Sequence, residues 1–193
     1  MNLIGTIDPP TVRPHFLIPS LLILLLVGGC GEDASDIFSQ GLEEYRAERW
    51  DSAIRRFGDA LVLDPALTAA HFYMGMCYLR TDPPWPVVAA GELTMALESL
   101  DRGELTPPPD IEPDALRAQI HVGLGDAHRL QARIELLRTG RLDAFAALAD
   151  KALHEYQTAA QLRPDDAEIE RKLAELENEK AALANAVPFV YER

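Results

Sequence analysis

The side chains able to do chemistry in this chain are few and poorly clustered. Two cysteines and five histidines stand among 31 carboxylates and 18 lysines and arginines in 193 residues. His121 and His128 fall two helical turns apart and so near one face of a helix. Two imidazoles without an acid cluster beside them in the sequence make a poor metal site, so packing or groove lining is the better reading and no metal is expected. There is no glycine-rich phosphate loop, no G-x-S-x-G, no H-E-x-x-H and no cysteine pair at metal spacing. The expectation is therefore no enzyme, with no catalytic residue, no cofactor and no small-molecule substrate. Cys77 lies between Met76 and Tyr78, where a small apolar residue suits a helix contact, so burial rather than reactivity is expected, and no disulfide.

Cys30 is placed differently. An apolar run of about a dozen residues (FLIPSLLILLLV, residues 16–27) follows Arg13 and ends in Gly28-Gly29-Cys30. That is short of the ~20 residues a spanning helix needs and fits the apolar core of a secretory signal peptide. Val27-Gly28-Gly29-Cys30 resembles the lipobox of bacterial lipoproteins. The resemblance implies a signal peptide over residues 1–29 and diacylglycerol on the Cys30 thiol, which becomes the mature amino terminus. Small residues before the cysteine let a peptidase reach the backbone. Gly31, where enteric bacteria place Asp to retain a lipoprotein at the inner membrane, implies export to the periplasmic face of the outer membrane. Several acyl chains would hold the body stably, through a tether over residues 30–36.

Charge narrows the partners. The chain carries a net −13, and removing Asp8 and Arg13 with the signal peptide leaves that value unchanged. Such acidity argues against nucleic acid or an anionic lipid face as the main partner.

The elements that must position any site are helices in repeat. A step of about 34 residues carries Phe38 to Phe72, Gly41 to Gly75, Leu42 to Met76 and Arg46 to Arg80. Gly41, Tyr45, Trp50, Ala53, Phe57, Ala60 and Pro65 resemble the tetratricopeptide repeat (TPR) family, with Glu48 in place of the usual turn glycine. Gly and Ala sit where two antiparallel helices touch, large residues fill the space beside them, and Pro65 ends the hairpin. A third, altered copy spans Leu124-Gly125-Asp126-Ala127-His128 and, late, Ala152, Tyr156, Ala159 and Pro164.

The fold implied is all-α: a short right-handed solenoid over residues 37–185. Its repeats lie near 34–65, 68–100 and 114–164, a capping helix covers 165–185, and an apolar tail covers 186–193. Helix starts are expected near Ala34, Trp50 and Ala66. Prolines make an exposed loop of residues 101–113 and a long turn at 81–86. The third hairpin is read as overlong, with Leu130, Ile134 and Leu137 at helical spacing before Thr139-Gly140-Arg141, or else as carrying a small helix inserted at its turn. Asp165 or Asp166 caps the last helix, whose apolar stripe is Ile169, Leu173, Leu176 and Leu183.

Stacked hairpins make an inner face lined by the first helix of each pair. Phe38, Leu42, Tyr45 and Arg46 share that face, as do Phe72, Met76, Leu79 and Arg80, then Val122, Asp126 and Arg129. Ile37, Gly41, Met74, Gly75 and Tyr78 face the core instead. An apolar floor edged by Arg46, Arg80 and Arg129 suits a peptide carrying a carboxylate. The expected function is a lipid-anchored scaffold binding a protein segment of the cell envelope. The alternative is an accessory subunit of an envelope hydrolase or a secretion or pilus machine, acting through the long hairpin.

Overall fold

Asp33 sets the first element. Its carboxylate accepts the Asp36 amide at 2.8 Å, a side-chain cap that opens helix α1 at Ala34–Arg46. Residues 34–36, assigned above to the tether, are therefore the first turn of α1. The computed structural model describes residues 32–105 and 111–186. The signal peptide, the lipobox with Cys30, residues 106–110 of the proline loop and the tail from Val187 lie outside the described residues.

Six further helices follow: α2 (Trp50–Leu63), α3 (Ala69–Tyr78), α4 (Pro86–Asp101), α5 (Pro113–Thr139), α6 (Leu142–Leu162) and α7 (Ala167–Ala186). They pair as antiparallel hairpins α1/α2, α3/α4 and α5/α6, each stacked on the next, with α7 closing the end on α6. No strand occurs among the described residues, and none of the described helices is long and apolar enough to cross a membrane.

One lock is used three times. A methyl group added at Gly41 would come within 2.6 Å of the Phe57 ring, and one at Gly75 within 2.6 Å of Leu93. At Gly125 it would run into Tyr156. Each large residue is flanked by alanines, Ala53 and Ala60, Ala89 and Ala96, Ala152 and Ala159, and all nine side chains are fully buried. The glycine lets the partner helix approach closely and the large side chain fills the space the approach leaves. The core then runs between hairpins, through Ala70, Met74 and Cys77 against α2 and through Leu116, Ile120 and Leu124 against α4. Burial raises the Cys77 thiol to about 12, so it packs as an apolar group.

The connections explain where boundaries move. After α1, the Arg49 amide reaches the Glu44 carbonyl and the Glu48 amide the Tyr45 carbonyl, which forces Glu48 to φ +57°. The same pair of bonds after α4 turns on Gly103 at φ +70°, a residue that pays nothing for it. α3 begins at Ala69 rather than near Ala66, because the Asp64 carboxylate takes the Ala66 amide at 2.9 Å in a side-chain-closed turn. Pro113 closes no loop; it is the first residue of α5, where a missing N–H costs nothing. α5 and α6 are continuous, joined at Gly140 with φ +69°, so no separate helix sits at that turn. Asp166, not Asp165, caps α7 through the Glu168 and Ile169 amides.

Candidate functional site

The inner face is built from α1, α3, α5 and the start of α7. Its centre is an aromatic cluster around Tyr73, which stacks on Phe57 at 5.5 Å and meets Phe38, Tyr45 and Phe72 edge-on at 5.9, 5.3 and 5.1 Å. Tyr45 continues the chain of rings to Trp50, and the Arg80 guanidinium lies 5.5 Å over Trp50. Rings held by rings on several sides have little freedom left, so the surface they present is preorganised. Burial raises the Tyr45 phenol against the opposing pull of Arg80, which keeps it neutral.

Two hollows open beside this cluster and share Met76. The larger, about 450 Å³, is walled by Tyr45, Phe72, Tyr73, Met76, Ala118 and Val122, with Ile169, Arg163, Asp166 and Glu168 on the α7 side. The smaller, about 260 Å³, is bounded by Met76, Leu79, Arg80, Asp126 and Leu130. The structure thus brings together Tyr45, Phe72, Met76, Leu79, Arg80 and Asp126 of the sequence-derived set.

Four of the expected residues border neither hollow. Phe38 and Leu42 line neither hollow and pack onto the Ala53–Phe57–Cys77 cluster between α2 and α3. Arg46 is exposed at the end of α1 and makes no ion pair among the described residues. Arg129 does not edge the groove as a free cation: α7 claims it through Glu175 at 3.1 Å and Glu179 at 3.2 Å. Its bond lowers the Glu175 carboxyl, and at Glu179 the bonds from Arg133 and Arg129 outweigh burial to the same end. Phe72 borders the larger hollow but is only 7 % exposed, its ring committed to the core with Leu93 and Ile120. Tyr73, less buried than Phe72, also lines that hollow. Sequence reasoning passed it over, although its place between Phe72 and Met74 was open to either face.

Asp126 sits in the wall as part of a network. Its Oδ1 accepts from the Tyr156 hydroxyl at 2.6 Å and from the Lys172 ammonium at 2.7 Å, tying α5 to both α6 and α7. Burial, followed by the Asp126 charge, raises the Tyr156 phenol, which stays protonated as the donor. The three groups hold helices together rather than pointing a reactive atom into the hollow.

Two of the histidines also have structural partners. His71 Nδ1 lies 2.8 Å from Glu92 and His121 Nδ1 lies 2.7 Å from Glu155, each pair crossing its own hairpin. The second pair is the first advanced by one repeat: His71 to His121 is the 50-residue step of Gly75 to Gly125, and Glu92 to Glu155 is the 63-residue step of Leu93 to Tyr156. That signal was present in the sequence and unread. His128 is half-buried, and the burial lowers its pKa. Among the described residues no group of three or more His, Cys, Asp or Glu side chains is arranged to hold a metal ion. The 34-residue step also places Glu44, not Tyr45, at the position of Tyr78 and His128. Tyr45 therefore matches Leu79, on the inner face.

Comparison with solved structures agrees with the helical-hairpin fold. The chain is similar to the first TPR of Spaghetti (RPAP3) bound to the HSP90 peptide SRMEEVD, with a TM-score of 0.54 and 17 % identity over 77 % of this chain and 94 % of that one. It is likewise similar to the first TPR domain of the human RPAP3 protein, with a TM-score of 0.54 and 17 % identity over 79 % of this chain and 95 % of that one. The fold is a TPR-like helical solenoid. At this identity the likeness concerns the fold. No protein-family profile and no curated protein sequence matches the chain.

Proposed function

We propose that this protein is a lipid-anchored TPR-like scaffold of a bacterial cell envelope that binds a segment of a protein partner on its inner face. The observation that carries the binding role is the pair of hollows meeting at Met76, walled by fixed aromatic rings, with Arg80 beside them. Apolar walls next to a guanidinium suit a segment that buries side chains and presents a carboxylate. Arg46 extends the basic edge along α1. The similar RPAP3 domain, which holds a peptide, supports this reading. The role is binding rather than catalysis: Asp126, Tyr156, Lys172, His71 and His121 are engaged in joining helices.

The envelope part of the reading rests on residues 16–30. Cys30 would carry the lipid, the only added group, and the body would hang from the periplasmic face of the outer membrane. Cys30→Ser should abolish the lipid mass increment and release the protein from membranes. A variant that stays membrane-bound and unprocessed would make the apolar run an anchor instead. A second reading, an accessory subunit working through the third hairpin, is favoured by one observation: α5 ends in exposed Ile134 and Leu137.

A further inference from the structure

The three hairpins are unequal, and the inequality makes a ledge. α3 has 10 residues and α5 has 27, so α5 runs on past the turn that precedes α4. The wall of the extension and the floor of that turn meet in an inside corner of about 300 Å³, with Pro84, Trp85, Val87, Val88 and Ile134 as its apolar lining and Gln131 and Glu135 as its polar one. Trp85 is 55 % exposed, Val87 64 % and Ile134 41 %. One turn further along α5, Leu137 stands out at 87 % exposure. Ile134 and Leu137 of the α5 stripe and the proline-rich turn at 81–86 thus come together here, while Leu130 of the same stripe borders the smaller hollow of the inner face.

We propose that this ledge is the contact surface for a second copy of the same chain. A two-fold interface pairs residue i with j and j with i. This surface carries both halves of such a contact, a protruding Leu137 and, about a turn below it, a corner deep enough to receive a leucine. Leu137 of each copy enters the Trp85–Val87 corner of the other.

Charge favours the same arrangement. The chain carries −13 overall, and most faces of two copies would repel. The end of the long hairpin is neutral: Arg138 pairs with Glu135, and Arg141 pairs with Asp143. Area agrees as well. Trp85, Val87, Val88, Ile134 and Leu137 expose on the order of 500 Å² per copy, at the upper end for a monomer's largest apolar patch. Two such patches bury roughly 1,000 Å² in total, the lower bound for a specific interface. The pairing is accordingly modest in strength and aided by confinement to one membrane surface.

The proposal is independent of the groove, and its test uses the full chain in membranes of the cells that express it. Cys77 is buried and its thiol is pushed up to about 12, which leaves introduced cysteines as the reactive ones. Val87→Cys combined with Leu137→Cys, treated with a short bis-maleimide, should give a product of twice the chain mass. Adding Ile134→Asp should reduce that product at least five-fold. The control pair, Val62→Cys with Leu63→Cys, should give none, because both are exposed on α2, at 82 % and 56 %, and away from the ledge. No dimer product, equal product from the control pair, or a product of another mass would overturn the proposal. The last would mean a different protein sits on the ledge, and the first would leave it open to lipid or solvent.

Discussion

The first and third hairpins share one lock and differ in everything they show to the inside. Gly41 against Phe57 and Gly125 against Tyr156 are the same contact, but Leu42 on α1 is replaced by Asp126 on α5. Asp126 is consumed by Tyr156 and Lys172, and Arg129 by Glu175 and Glu179. A solenoid must close its last hairpin with a polar helix, and here α7 closes it by taking the charged groups of α5. The open, basic chemistry is left to α1 and α3. Position in the array, more than residue type, decides which arginine is left without a carboxylate among the described residues.

The largest expected effect strikes what the hairpins share. Gly41→Leu, Gly75→Leu and Gly125→Leu should each destabilise by about 1–3 kcal/mol or more, as overpacked helix contacts do. Gly91→Leu, at a position with nothing within 4 Å of a built Cβ, should cost no more than about 0.5 kcal/mol. Equal denaturant midpoints for the four variants would show that the lock is not shared.

Next comes the difference. Asp126→Leu makes α5 resemble α1, and it strands the Tyr156 hydroxyl and Lys172 between helices, at a cost of about 1–3 kcal/mol. Met76→Leu at the matching place in α3 should cost under about 1.5 kcal/mol. Chemical denaturation of both variants decides whether Asp126 holds the fold. An Asp126 variant as stable as wild type would return that carboxylate to the groove as a free group.

A smaller effect separates the two turns. Glu48 holds a left-handed conformation that Gly103 adopts at no cost, so Glu48→Gly should stabilise by about 0.5–1 kcal/mol. A lower melting temperature would mean that Glu48 makes a contact worth more than the strain it carries.

The smallest is a pH effect greatest at the closed end: Asp33, Glu44 and Glu104 are lowered as well, but by local partners, whereas Glu175 and Glu179 bridge α7 to α5. The folded-state pKa values of Glu175 and Glu179 are lowered from the ordinary 4.5. Their contribution is therefore complete above that ordinary value and is lost as pH falls through the lowered ones. Amide exchange should show α7 opening before α1 to α4 below about pH 4.5. Arg129→Leu should remove part of that difference, and equal acid protection of both ends would contradict it.

Much of the fold was legible because helix contacts leave a local trace. Ala53-Phe57-Ala60 returns with the same internal spacing as Ala89-Leu93-Ala96 and Ala152-Tyr156-Ala159, each behind a glycine on the preceding helix, and that pattern places three hairpins. The site was less legible, for physical reasons. Phe72 and Tyr73 are adjacent aromatic residues on one helix, and only the position of the next hairpin decides which ring is covered. Arg129 meets Glu175 and Glu179 across 46 and 50 residues, a separation no periodicity encodes. The His71–Glu92 and His121–Glu155 pairs were readable in principle, since the steps that relate the lock glycines and the large residues facing them also relate these pairs.

The central claim is that α1 and α3, and not α5, offer the basic edge to a partner. Its most direct test is co-purification of the native partner with wild type, with Arg46→Glu/Arg80→Glu and with Arg129→Glu, each first shown to be helical by circular dichroism. The double reversal should keep its stability within about 1 kcal/mol, as exposed charge changes do, and lose capture by ten-fold or more as favourable contacts become repulsive. Arg129→Glu should instead lower stability, by setting a third carboxylate against Glu175 and Glu179, and leave capture by the folded fraction unchanged. Undiminished capture by a folded Arg46→Glu/Arg80→Glu protein would contradict the account.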